Sequence, residues 1–568
     1  MLGLCPSIYA VIRNMVQMGR KEIKENIEMD LTITVVEFLL FTIFVAVLSW
    51  YKTRDERLDT EEGYFVAGHS LPGIVIAGSL MMTNLSAEQL VGTNGQAYSG
   101  SMATMAWEAT SAFALIILAF VLLPKFLKGN ISTIPQFYEM RYDTFTKRMF
   151  SVMFLFAYVV TMLPTILYSG AVALEKIFSI QDMFGISYFW AILIVCFATG
   201  VIGMCYSVFG GLKAVAYSDT INGVGLLIGG FLVPILGFCA LGALDGGGFI
   251  AGIKHFATAT PEKMNAWSSP TALAPYIPWP LLFTGMFVNN LFYWATNQSI
   301  IQRSLGAKNL AEAQKGAIWA GFFKCLDVFV IVIPGIIAYQ LIGATSSGAA
   351  FDGDSAYPAL VMQVMPKPLM GFFATVMFGA ILSSFNSVLN SASTIFSLDI
   401  WKPIWGKDAD AKKVVKVGQV FGLIVGILGI VISPFIMYFG SGIMNFINQC
   451  WGLFSMPILC AVLFGMLNKN VSSLAPKIGV PVHIILYAIG YFTVFDKIHY
   501  LYWVFVCFLV QCVIYFAVAK FAPSKVPFEM PNQPQIELTP WKNGKIWATV
   551  GALVVVVMYI IFSPLALG

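Results

Sequence analysis

The chain of 568 residues is 58% hydrophobic and only 11% charged, whereas an ordinary soluble domain carries about 25% charged residues. This composition, with a net charge of only +4, excludes a soluble globular protein and a nucleic-acid-binding protein. Residues 1–30 are predicted to be an N-terminal tail, because the polar stretch GRKEIKENIE stands where a signal peptide would have its cleavage site. Two interpretations stay open: a short exposed tail, or a start placed too far upstream with Met29 as the true first residue.

Hydropathy predicts an all-α integral membrane protein with about fourteen membrane-spanning helices. A bilayer core about 30 Å thick needs about 20 apolar residues per helix. By this rule the first span is an accessory helix at 31–51. The other spans are predicted at 71–96, 101–124, 146–178, 186–208, 217–243, 277–303, 313–343, 367–400, 412–437, 439–467, 471–493, 496–521 and 545–566.

The distribution of basic residues predicts how these spans are oriented. With an external N-terminus, the loops on the cytoplasmic side hold 23 of the 33 Lys and Arg residues, Arg303 among them, and the opposite loops hold five. Cytoplasmic loops are enriched in Lys and Arg, so the bias supports both the orientation and the helix count. An even number of spans then places both termini outside.

Spans two to six and seven to eleven form two sets of five, which predicts an inverted repeat because an odd set reverses the side from which the next set begins. The predicted repeats are 71–243 and 277–467, followed by accessory helices at 471–568. The leading span of each set is polar at mid-depth, with TNLSAEQ at 83–89 and NNLFYWATNQ at 289–298. Paired interruptions mark the solute site of a transporter; the alternative is two helices interrupted by chance.

Ionisable side chains inside spans are rare and usually face a cavity or a partner. Glu88 is interpreted first as a structural hydrogen-bonding residue. Glu108 and Ser111 share one helix face, and a carboxylate beside a hydroxyl suits the directed hydroxyl groups of a sugar, although interhelical hydrogen bonding is the alternative. Lys324 and Asp327 are three residues apart, so they either form a local pair or Lys324 reaches a cavity while Asp327 keeps it charged.

The segment ILSSFNSVLNSAST at 381–394 is unusually polar for a membrane helix. Small hydroxyl residues often mark close helix packing, which explains part of this pattern. Ser383 and Ser384 are adjacent, however, and beside the free carbonyls of an unwound helix they would form an all-oxygen site for a hard monovalent cation. Sodium fits better than a divalent ion because no cluster of carboxylates accompanies the hydroxyls.

Six motifs follow one another along the chain: YFVAGHSLP (64–72), TNLSAEQLVG (83–92), GNISTIPQF (129–137), FGGLKAVAYSD (209–219), FYWATNQSIIQRSLGAKNLAEAQKG (292–316) and SSFNSVLNSASTIFSLDIW (383–401). With these motifs the chain resembles the sodium/solute symporter family, and within it the bacterial sodium/galactose (sodium/glucose) branch. The resemblance implies fourteen helices with a LeuT-like inverted five-plus-five core and unwound helices. It also implies alternating access driven by a sodium gradient.

The resemblance further implies where sodium binds. In this family the ion sits between the unwound second span and the ninth span. Carried over to this chain, the ligands are the backbone carbonyls of Met82, Leu85 and Ala380 and the hydroxyls of Ser383 and Ser384. Asp219 matches a family carboxylate near the inner exit of the ion, with a contact at the cytoplasmic end of its helix as the alternative.

The sugar site of the branch would fall on six residues: Gln89, Glu108, Ser111, Asn290, Lys324 and Asn448. Tyr293 would stack on the sugar ring as the inner gate, with Asn84 hydrogen-bonding near it. Asn448 stands where the branch has a glutamine, so the resemblance implies a polar site for a sugar but not galactose itself.

The sequence therefore predicts a sodium-coupled symporter for a monosaccharide or a similar polyhydroxylated solute, working as a monomer in the lipid bilayer. The nearest alternative is a symporter for an anionic sugar, a carboxylate or an amino acid, because Lys324 could neutralise an anion. A solute sensor without transport is a further alternative, although no signalling domain is appended. An enzyme is not expected, since no GxSxG or HExxH motif stands at membrane depth.

Overall fold

The computed structural model describes residues 20–55, 58–343, 353–438 and 443–564, which are almost entirely helical. Strand pairing within these residues is limited to three isolated bridges. Most of the predicted N-terminal tail, 1–19, lies outside the described residues. The all-α class is confirmed.

The membrane helices are, in chain order, α1 Arg20–Thr53, α2 Gly73–Asn84, α3 Gln89–Ser99, α4 Met102–Lys128, α5 Thr144–Phe178, α6 Tyr188–Val208, α7 Gly210–Leu244, α8 Gly285–Thr296, α9 Gln298–Leu305, α10 Leu310–Gly343, α11 Lys367–Trp405, α12 Ala411–Tyr438, α13 Ile443–Leu467, α14 Leu474–Thr493, α15 Tyr500–Phe521 and α16 Gly544–Ile561.

Within the described part of the chain, twelve helices are long and apolar enough to cross a membrane, and the bent pair of α2 and α3 makes thirteen. The remaining predicted span, 277–303, corresponds to α8 and α9, which have 12 and 8 residues. Each is shorter than the roughly 20 residues that a bilayer core requires. The protein is a multi-pass membrane protein. The predicted span that fails the length criterion is the one that contains the second predicted interruption.

The first interruption separates α2 from α3, whose axes differ by 62°. The helix stops at Leu85, which has φ −78° and ψ 78°, although the Leu85 amide still bonds to the carbonyl of Met81. Helical bonding resumes when the amides of Gln89 and Leu90 donate to the carbonyl of Ser86. Carbonyls in the last turn of α2 are therefore left for partners outside the helix.

The second interruption is a single residue, Asn297, with extended backbone between α8 and α9. Its Oδ1 accepts hydrogen bonds from the amide of Ser299 at 3.2 Å and from the hydroxyl of Tyr158 at 2.6 Å. The Ser299 amide also donates to the Tyr158 hydroxyl at 3.0 Å. Asparagine is a preferred N-cap, so the sequence supplies the group that starts α9.

Helix packing brings the two interruptions together in the middle of the bundle. Helix α2 packs against α10, α11, α9 and the continuous helical stretch of α6 and α7. Helix α4 packs against α8 and α10, and α8 also packs against α13. The breaks are thus enclosed by protein, which is the condition under which non-helical backbone is tolerated at membrane depth.

Residues 522–543, which connect α15 to α16, cross one end of the bundle as an irregular segment that we name the strap. The amide of Phe528 donates to the loop after α13 at 2.9 Å, and the amide of Gln533 donates to the last residue of α4 at 3.0 Å. The carbonyl of Glu537 accepts from the first residue of α10 at 2.9 Å. The strap therefore joins the ends of three helices on the side predicted to be cytoplasmic.

Candidate solute and sodium site

A polar cavity lies between the two interruptions. Seven of the eight residues predicted to bind or gate the solute line it: Asn84, Gln89, Glu108, Ser111, Asn290, Tyr293 and Asn448. They come from α2, α3, α4, α8 and α13, so the fold assembles them from segments up to 364 positions apart in the sequence. Which of them touch a solute stays a prediction.

Lys324, the eighth predicted residue, lies behind the wall of this cavity on α10. Its Nζ is 2.6 Å from Oε2 of Glu108 and 2.6 Å from Oδ2 of Asp327, and it also donates to Oδ1 of Asn84. Lys324 and Asp327 are both fully buried. The local pair exists, and the same ammonium group also holds two side chains of the cavity wall.

Several lining residues are held by hydrogen bonds within the protein. Oε1 of Gln89 accepts from the hydroxyl of Thr93 at 2.8 Å, and Nδ2 of Asn290 donates to Oγ1 of Thr110 at 2.7 Å. The hydroxyl of Ser111 donates to the backbone of its own helix at 2.7 Å. These bonds fix the orientation of the side chains and leave their remaining polar atoms for a ligand.

Three buried polar atoms at the cavity have no hydrogen-bond partner among the described residues: Oε2 of Glu88, Nδ2 of Asn448 and Nε1 of Trp451. Unpartnered buried polar atoms are rare and costly, so this set of two donors and one acceptor indicates a place for a polar ligand. Sequence reasoning assigned Glu88 a structural role and did not select Trp451. The available signal was the three-residue spacing from Asn448, which puts Trp451 on the same helix face.

Two of the predicted sodium ligands, Met82 and Ser384, are in contact where the end of α2 packs against α11. Oγ of Ser384 donates to the carbonyl of Met82 at 3.3 Å and to the carbonyl of Thr83 at 3.1 Å. Oγ of Ser383 is buried and has no partner among the described residues. All five predicted ligand residues are buried: Met82, Leu85, Ala380, Ser383 and Ser384. Hydroxyl and carbonyl oxygens of this kind suit a hard cation.

Asp219 and Arg303 lie close to this oxygen-lined pocket, joined through Ser79. Oγ of Ser79 donates to Oδ2 of Asp219 at 2.7 Å and accepts from Nε of Arg303 at 3.2 Å. Arg303 also donates to the hydroxyl of Ser387 and is fully buried in α9. Its assignment to a cytoplasmic loop is corrected: hydropathy could not separate the end of α9 from the polar loop that follows it. Asp219 is fully buried as well, and both roles predicted for it, ion exit and a contact at a helix end, stay predictions.

A membrane protein with two interrupted helices whose breaks face one polar cavity defines the class of secondary transporters. The sequence pattern of the Sodium:solute symporter family matches residues 64–474, and the chain belongs to this family. A symporter is a transporter and not an enzyme, as the sequence predicts.

Relatives and a solved structure agree with this assignment. The chain is 41% identical over 523 residues to "Uncharacterized symporter YidK" of Escherichia coli (strain K12), covering 92% of this chain and 89% of the relative. It is 34% identical over 476 residues to "Sodium/glucose cotransporter" of Vibrio parahaemolyticus, covering 80% and 84%. A solved Na+-coupled sialic acid symporter, 20% identical, superposes with a TM-score of 0.72 over 87% of this chain and 99% of that one. At this identity the likeness shows the fold alone, and the predicted LeuT-like class is confirmed.

Proposed function

We propose that the protein is a sodium-coupled symporter of a monosaccharide or a similar polyhydroxylated solute. The observation that carries this proposal is a set of three cavity atoms, two donors and one acceptor, that have no hydrogen-bond partner within the described ranges. A hydroxyl group both donates and accepts hydrogen bonds, so a molecule with several hydroxyls answers all three atoms. The similarity to a protein named sodium/glucose cotransporter supports the same class of solute.

Sodium would occupy the oxygen-lined pocket at the end of α2. The hydroxyl of Ser384, now bonded to backbone carbonyls of α2, would turn its oxygen toward the ion and share those carbonyls with it. Met82, a predicted sodium ligand, and Asn84, which lines the solute cavity, are two residues apart in the last turn of α2. Ordering of the break by sodium therefore favours the solute, and by linkage the solute favours sodium by the same factor.

The setting of this proposal is the inner membrane of a bacterium, with a single chain as the working unit and both termini outside. The strong bias of Lys and Arg toward one side supports the orientation. Entry of each sodium ion would draw on the membrane potential, which supplies about 2.3 kcal/mol per charge per 100 mV. The repeat boundaries 71–243 and 277–467 stay predictions.

Uptake into proteoliposomes tests the proposal. Labelled monosaccharides, acid sugars and amino acids are supplied with an inward sodium gradient or with potassium in its place. We expect accumulation of a monosaccharide only with sodium, stimulated by a negative interior. Gln89→Ala and Glu108→Ala should abolish accumulation, whereas Thr549→Val at the exposed face of α16 should not. Sodium-independent uptake, or unimpaired uptake in both cavity variants, would contradict the proposal.

A further inference from the structure

The charged groups around the cavity differ in whether they are already paired, and this difference bears on which solutes enter. The ammonium of Lys324 lies 2.6 Å from each of two carboxylates, those of Glu108 and Asp327. The other buried cation near the two breaks, Arg303, donates to Ser387 and Ser79. Among the described residues at the cavity, the cations are thus engaged by the protein and offer no free partner to an anionic solute.

The carboxyl group of Glu88 differs from these paired cations. Its side chain lines the cavity, it is only 7% exposed, and its Oε2 is buried with no hydrogen-bond partner among the described residues. A buried acceptor of this kind needs a donor. A hydroxyl of a neutral sugar supplies one, whereas a carboxylate in the same place brings only acceptor atoms and a like charge.

The charged residues around the cavity also disfavour an anionic solute. In the described part of the chain, three carboxyl groups lie in or directly behind the cavity wall, those of Glu88, Glu108 and Asp327, and the ammonium of Lys324 is already paired with the last two. A low-polarity surrounding strengthens interactions between charges, so these carboxyl groups repel an added negative charge. Discrimination of this kind arises from an unfavourable contact with the wrong solute as much as from a favourable contact with the right one.

We propose that Glu88 is a solute-binding residue that selects by charge, so that the cavity admits neutral polyols and excludes the corresponding acid sugars. This inference rests on the proposed function and narrows it. It removes the anionic sugars and carboxylates from the solutes that the sequence left open. It also assigns a role to a residue that sequence reasoning treated as structural.

Matched pairs of sugars test the inference, because glucose and glucuronate, or galactose and galacturonate, differ only in a hydroxymethyl group replaced by a carboxylate. Each is used to compete with sodium-driven uptake of labelled glucose or galactose into proteoliposomes. In the unmodified protein we expect the acid to compete at least about tenfold more weakly than its neutral partner. In Glu88→Gln, which keeps the shape and removes the charge, we expect this ratio to fall by about tenfold.

The control is Glu262→Gln, which removes an exposed carboxylate outside the cavity and should leave the ratio unchanged. If Glu88→Gln does not transport, the same pairs are compared by the shift in melting temperature that each sugar produces in purified protein. Equal competition by acid and neutral sugars, or an unchanged ratio in Glu88→Gln, would overturn the inference while leaving sodium symport intact. Absence of sodium-dependent uptake of every sugar would overturn the proposed function as well.

Discussion

Each interrupted helix is the leading span of one of the two predicted repeats, but the hydrogen bonds made at the two breaks differ. At the first break, carbonyls of α2 accept hydrogen bonds from a hydroxyl of another helix, that of Ser384, and Oε2 of Glu88 has no partner in the described part of the chain. At the second break, Oδ1 of Asn297 accepts hydrogen bonds from Ser299 and Tyr158, while its Nδ2 is also buried with no partner among the described residues. We therefore expect the hydroxyl of Ser384 to give up its bonds to an ion at the first break, and Asn297 to keep its bonds as the cap of α9 at the second. An interruption in a membrane helix is not by itself a binding site.

The largest effect is expected at the ammonium group that supports the first break. Lys324→Ala would leave the carboxylates of Glu108 and Asp327 buried without a cation, and removal of one partner of a buried ion pair costs about 3–5 kcal/mol. We expect a large fall in melting temperature and in the amount of protein in the membrane. Lys315→Ala is the control, since this lysine on the same helix is part-exposed at the membrane edge. If the melting temperature of Lys324→Ala were unchanged, the ion pairs of Lys324 would not be what stabilises the first break.

The next effect separates the two breaks by ion dependence. Ser384→Ala removes the hydroxyl that bonds to the carbonyls of α2, and we expect the half-saturating sodium concentration for uptake to rise at least about tenfold, about 1.4 kcal/mol. The amount of protein should stay the same. Ser393→Ala, a buried serine farther along α11, is the matched control. Normal sodium activation in Ser384→Ala would remove the assignment of the ion pocket.

A smaller effect of a different kind is expected at the second break. Asn297→Ala removes an N-cap, which costs about 1 kcal/mol, so the melting temperature should fall while the half-saturating sodium concentration stays unchanged. Asn297→Ser, which keeps an acceptor at the cap, should recover part of the loss. A rise in half-saturating sodium like that of Ser384→Ala would show that the two breaks do not differ in the way proposed.

The smallest effect concerns the hydroxyl that braces the second break. Tyr158→Phe removes one donor to Asn297 and one acceptor for the amide of Ser299. The amide keeps its bond to Oδ1 of Asn297, so we expect a cost of about 0.5 kcal/mol, the low end for one hydrogen bond. Because both residues belong to one network, Tyr158→Phe with Asn297→Ala should cost less than the sum of the two single variants. Additive losses in melting temperature would mean that the network does not act as a unit.

Hydropathy was sufficient for most of the spans, and paired polar stretches were sufficient to locate the cavity. What they could not supply was the rotation of each helix and the partner of each side chain. The sequence left open whether Lys324 pairs with Asp327 or reaches the cavity, and only the structure shows that its ammonium contacts Asn84, Glu108 and Asp327 together. Arg303 is followed by a polar loop in the sequence, so only its packing in α9 reveals that it is buried. These facts depend on contacts between distant segments, which a local pattern does not contain.

The strap links helices of both predicted repeats. It fastens the ends of α4, α10 and α13 through main-chain hydrogen bonds, so these three ends share one tether although the first belongs to one predicted repeat and the others to the second. Because these bonds join main-chain atoms, most side-chain substitutions leave them in place, whereas a cut in the chain divides the strap. A protease site engineered beside the exposed Gln535 would separate the bond to α10 from the bonds to α4 and α13, without altering any residue predicted to bind the solute or sodium.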